Sequence, residues 1–114
     1  PEVVHGVLLY LFDHQHKVQR ISFDGFSGDA SKIIQLASLY GFKQKPTSIA
    51  GLYLKTYHGK PKGALRIAHT GVIRSSEPND QLSILLEINN TRGDYRISQR
   101  VARVLQMEKD AKRW

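Results

Sequence analysis

The stretch GLYLKTYHGKPKGALRIAH, Gly51 to His69, decides how the middle of the chain folds. Leu52, Leu54 and Thr56 alternate with Tyr53, Lys55 and Tyr57, the two-residue period of a half-buried strand. Gly59-Lys60-Pro61-Lys62 carries turn chemistry, and Ala64 to Arg74 reads as the return strand. A turn centred on Lys60-Pro61 sets Thr56 opposite Leu65 and Lys55 opposite Arg66. Leu54 and Ile67 then face the core, while Tyr53, Lys55, Tyr57 and Arg66 share an outer face. Two like charges directly opposed on paired strands cost from a few tenths to about 1 kcal/mol, so a cationic pair there asks for a reason.

Upstream, Val3 to Phe12 is apolar at most positions and reads as a strand buried on both faces. Asp13 to His16 is turn-like, and Lys17 to Phe23 resumes as a second strand, an antiparallel hairpin by its spacing. The run DGFSGD breaks the chain. Asp29 is a candidate helix N-cap, Ile33, Leu36, Ala37 and Tyr40 recur at helical spacing, and Gly41 stands where a C′ glycine belongs. Downstream, Leu82, Ile84, Leu86 and Ile88 alternate as another strand. Ile97, Val101, Val104 and Leu105 then form one stripe of a C-terminal helix that starts near Thr91 or Asp94. The order β-β-α-β-β-β-α predicts a single α+β domain over residues 1–114. Its core is an antiparallel sheet of about five strands with two helices packed on one face.

Composition narrows the function classes. A chain of 114 residues can bury one core without staples. It has no Cys, so there is no disulfide, thiolate metal site or cysteine nucleophile, and an intracellular setting, cytoplasmic or nuclear, is expected. No apolar run reaches 18 residues, so no membrane span is expected. The net charge of +7 is unevenly spread. From Ala30 to Ser76 there is no acid, whereas Lys32, Lys43, Lys45, Lys55, Lys60, Lys62, Arg66 and Arg74 all fall there. Such a one-sign field draws polyanions.

Cations interleaved with aromatic rings offer phosphate contacts and stacking planes together. The candidate nucleic-acid-binding residues of the hairpin are therefore Tyr53, Lys55, Tyr57, Lys60, Lys62 and Arg66. Arg96, Arg100 and Arg103 follow at i, i+4 and i+7 on one flank of the last helix, where guanidinium forks suit phosphates. The bland alternatives are a solvated strand face and a solvated helix face. The expected function is noncatalytic binding of nucleic acid, DNA or RNA. The alternative is a protein-interaction module that docks an acidic partner or forms a homodimer through a sheet edge.

Signals for chemistry are sparse. His14-x-His16 is the closest histidine pair and sits in a turn, short of the third ligand a metal site needs. No metal site and no cofactor are expected. EPNDQLSILLEIN places Asp80 before an apolar strand that carries Glu87. That arrangement loosely resembles the acidic half of the restriction-type nuclease core, in which two carboxylates hold Mg²⁺. The resemblance implies a second alternative, a small Mg²⁺-dependent nuclease with Asp80 and Glu87 as its catalytic carboxylates. Here Asn89 stands where that core has a Lys.

Overall fold

The central hairpin forms, with its turn two residues earlier than the Lys60-Pro61 centre. In a computed structural model that describes residues 4–44, 51–69, 82–91 and 96–111, His58 and Gly59 occupy the two turn positions at φ 51° and 77°. Two consecutive positive φ values make the two-residue turn whose twist matches paired strands, and Gly59 supplies the second at little steric cost. Tyr57 then pairs with Lys60 and Thr56 with Pro61, before a bulge takes in Lys62 and Lys55 meets Gly63. Arg66 lies opposite Leu52, so the predicted Lys55–Arg66 opposition does not exist. The bulge falls beside Pro61, a residue with no N–H to give a ladder.

The elements run β1 (Val4–Phe12), β2 (Val18–Ser27), α1 (Ser31–Leu39), β3 (Lys43–Gln44), β4 (Leu52–Tyr57), β5 (Lys60–His69), β6 (Leu82–Asn89) and α2 (Gln99–Ala111). They form one six-stranded antiparallel sheet in the order β1-β2-β6-β5-β4-β3. The fold is α+β, as the element order implied. Sequence reasoning missed β3, which has only two residues and no pattern to show. It also broke β2 too early: Asp24 to Ser27 pair with β1 on one side and β6 on the other, and that double ladder holds the glycine-containing run extended. Residues 70–74 of the predicted return strand lie outside the described residues.

The two helices meet opposite faces of the sheet, not one face. On the first face, Ala37 and Phe42 join Leu65 and Ile84 in the core, with Phe23, Ile33, Tyr53, Ile67, Leu86 and Ile88 packed around them. Each fully buried aliphatic side chain there contributes about 1.5–3 kcal/mol. The side chains of Ser22, Asp24, Leu85 and Glu87 alternate with these and point the other way. That second face receives α2: the Ser98 N–H donates to Glu87 Oε2 at 2.8 Å, and Arg100 pairs with Asp24. Val101 and Val104 turn inward from α2, and Leu52 and Ala64 are buried on this side of the sheet. A sheet with two apolar faces needs two covers, whereas a sequence order shows only that two helices exist.

Local chemistry sets the helix ends. Ala30 is the cap residue of α1, one position after the predicted Asp29, yet Asp29 Oδ1 still accepts the Ser31 N–H at 2.9 Å. At the other end Gly41 has φ 90°, its N–H reaches the Ser38 carbonyl, and the Phe42 N–H reaches that of Ala37 at 3.0 Å. This is a Schellman motif, and its hydrophobic contact seats Phe42 in the core. α2 is capped by Ser98, whose Oγ accepts the Val101 N–H at 3.3 Å. Ser98 replaces the predicted start at Thr91 or Asp94, the latter outside the described residues. Ile97 accordingly precedes the helix.

Candidate functional site

The shifted hairpin register redistributes the proposed cationic face. Tyr53 and Lys55 pair with Leu65 and Gly63 and therefore lie on the α1 face, where Tyr53 is part of the core packing. Arg66 pairs with Leu52 on the α2 face, half-buried, with its Nε enclosed. Lys62, expected at an exposed tip, is buried at 5% exposure. Tyr57 and Lys60 remain exposed at the turn, the Tyr57 ring edge-on to His58 with centroids 4.2 Å apart. The structure thus does not bring Tyr53, Lys55, Tyr57 and Arg66 to one outer face.

The arginines of the last helix fare differently. Arg96, Arg100 and Arg103 are all exposed. Arg100 is engaged with Asp24, and the Arg96 carbonyl accepts a hydrogen bond from the Arg20 guanidinium at 2.8 Å. These contacts place the flank above β2. It lies on the opposite side of the sheet from Tyr53 and Lys55.

Glu87, the candidate carboxylate, is buried at 3% exposure. Its Oε2 accepts the Asn89 side-chain amide at 2.9 Å and the Ser98 N–H, and Arg20 Nε lies 3.9 Å from Oε1. Asn89 in turn accepts from Arg20 Nε at 2.7 Å and donates to the Lys62 carbonyl at 3.2 Å. This network joins β2, β5 and β6 to the start of α2. The geometry gives Glu87 the work of orienting a helix. Its proposed companion Asp80 lies outside the described residues. Among the described residues no cluster of His, Asp and Glu gathers as metal ligands.

The structure exposes instead a surface that the sequence reading had buried. Among the described residues β1 is an edge strand, paired only with β2. Val7, Leu8, Leu9, Tyr10, Leu11 and Phe12 are each between 46% and 60% exposed. Monomeric proteins scatter exposed apolar residues singly, so six in a row on a free edge mark an interaction surface or an aggregation hazard. On the α1 face, Tyr10 and Phe12 stack with ring centroids 6.5 Å apart. Next to them Leu8 opens onto an apolar groove of about 310 Å³. Its walls include Phe23, Ile33, Leu36, Tyr40 and Leu86, and Leu36 and Tyr40 are themselves mostly exposed. The sequence signalled that both faces of this strand are apolar, but not that it stands at an edge. An antiparallel strand with one solvated face alternates apolar and polar residues, and Val7 to Phe12 does not alternate.

A family model described as a family of unknown function (DUF6690) matches residues 2–114. The chain belongs to this family. No curated protein and no solved structure matches it. Among the described residues, no helix is long and apolar enough to cross a membrane.

Proposed function

We propose that this DUF6690 domain is a protein-interaction module that takes an added β-strand along β1. The observation that carries it is the unbroken exposed apolar run Val7–Phe12 on a strand that pairs on one side only among the described residues. Strand addition uses main-chain groups for affinity and the flanking side-chain pockets for selectivity. The groove beside Leu8 supplies such a pocket. An intracellular setting, cytoplasmic or nuclear, goes with this reading on the Cys-free composition. The test is a photo-crosslinking amino acid at Leu9 of the protein expressed in cells, with the same probe at Lys60 as control. Crosslinks to a protein from position 9, and few from position 60, are expected. An absence of protein crosslinks from position 9 overturns the interaction edge.

A second reading, binding of nucleic acid, is favoured by the exposed guanidinium flank of α2 and the net charge of +7. Arg96, Arg100 and Arg103 would contact phosphates, with Lys60 at the hairpin turn as an outlying contact. Affinity for short labelled DNA and RNA should fall steeply with salt, and Arg96→Ala/Arg103→Ala should make the log–log slope shallower by about 1–2. No binding at low salt removes this second function.

A further inference from the structure

We infer that a second copy of this chain covers β1, its own β1 running antiparallel about a two-fold axis near Leu9. Two six-stranded sheets then continue as one. The inference rests on the interaction-edge reading and adds the identity of the strand.

Main-chain direction supports it first. The Asn90 N–H donates to the Gln19 carbonyl at 2.9 Å, so Gln19 turns its polar groups toward β6. By alternation Arg20, Ser22 and Asp24 turn theirs toward β1, where Leu11, Leu9 and Val7 are their partners. Gly6, Leu8, Tyr10 and Phe12 therefore turn their main-chain groups outward, toward the free side. An axis at Leu9 sets Leu8 opposite Tyr10 of the other copy and Gly6 opposite Phe12. Every outward residue in this stretch then meets an outward residue, and the ladder closes with no orphaned group.

Side chains and charge point the same way. Any strand that sits beside Val7–Phe12 must be apolar toward both faces of the sheet. Strands with one wet face are not, but β1 itself is. The axis pairs Leu9 with Leu9 and Val7 with Leu11 on one face, and brings Tyr10 of the second copy to the groove mouth at Leu8 on the other. No charged residue lies between Val4 and Phe12. Of the basic, acid-free part of the chain, β3, β4 and β5 stand at the other end of the sheet order, while the arginines of α2 lie above β2. Two protomers can thus join with the Lys-bearing strands β3 to β5 far from the seam.

The chain has no Cys, which makes a direct test clean. Across a non-hydrogen-bonded antiparallel pair the Cα atoms stand about 4.5 Å apart, within disulfide reach. Leu9→Cys is therefore expected to form a disulfide dimer rapidly under mild oxidation, while Lys60→Cys does not. Native protein should sediment at twice the 12.9 kDa chain mass. Leu9→Lys, at a position 60% exposed in the single chain, should leave the circular dichroism unchanged. It should raise the dimer dissociation constant about a hundredfold or more, because it sets two charges face to face across a dry axis. A native monomer at all concentrations overturns the inference. So does a dimer that Leu9→Cys does not trap or that Leu9→Lys leaves intact. If the purified protein is monomeric while the in-cell probe at position 9 captures another protein, the interaction edge stands and the second copy does not. If neither experiment reports contact, both are gone.

Discussion

Single residues carry much of what this fold asks of its backbone, and glycine shows how differently two similar sites respond. Gly41 and Gly51 both have positive φ, at 90° and 77°. A Cβ on Gly41 would meet nothing within 4 Å, whereas one on Gly51 would come against the Ile67 carbonyl oxygen. Gly41→Ala should therefore cost only the left-handed backbone penalty, about 1 kcal/mol. Gly51→Ala adds a clash with main chain whose own N–H is bonded to the Gly51 carbonyl, and the two strands must separate to relieve it. Urea denaturation should find Gly51→Ala the worse by at least about 1 kcal/mol; equal costs would contradict the geometry. Gly41 was legible in the sequence because a C′ glycine follows a visible helical period. Gly51 was not, because the strand that crowds it comes 16 residues later in the chain.

At the level of elements, α2 depends on a few polar contacts at its start. Removing the Glu87 carboxylate strips a partner from the part-buried Ser98 N–H and one from the buried Asn89 amide. Glu87→Ala should cost about 2–4 kcal/mol and speed amide exchange in the first turns of α2 more than in β6. Ser98→Ala, which removes the cap oxygen, should cost about 1 kcal/mol. Arg100→Ala breaks an ion pair whose side chains are half-exposed, so its effect should stay within about 0.5 kcal/mol. That ordering in chemical denaturation tests whether Glu87 is a structural bracket. Had it been a carboxylate held for chemistry, its removal would leave stability nearly intact or raise it. Sequence periodicity found both helices, both long hairpins and the Gly41 terminus. It could not weigh Glu87, because Ser98 and Arg20 reach it from segments that no local pattern connects.

For the whole molecule, the apolar strand β1 and the Lys-bearing strands β3 to β5 stand at opposite ends of the sheet order, and assembly should follow that division. If β1 pairs with a second β1, the outward amides of Leu8 and Tyr10 should exchange at least about tenfold more slowly in concentrated protein than after dilution. The inward amides of Leu9 and Leu11 should change far less. Uniform slowing along β1 would mean general tightening and not an added strand. What the sequence by itself determined was the class of fold, the positions of its main elements and the concentration of positive charge in the middle of the chain. These follow from short-range rules: periodicity, turn chemistry and residue counts. Only the tertiary structure decided that the helices cover opposite faces, that Lys55 and Arg66 part company, and that Lys62 and Glu87 are buried. It also decided that an apolar strand read as core stands at an edge. The physical reason is common to all four. Burial depends on which strands become neighbours, and one shifted residue in a hairpin or one position in the sheet order exchanges inside for outside without altering any local pattern.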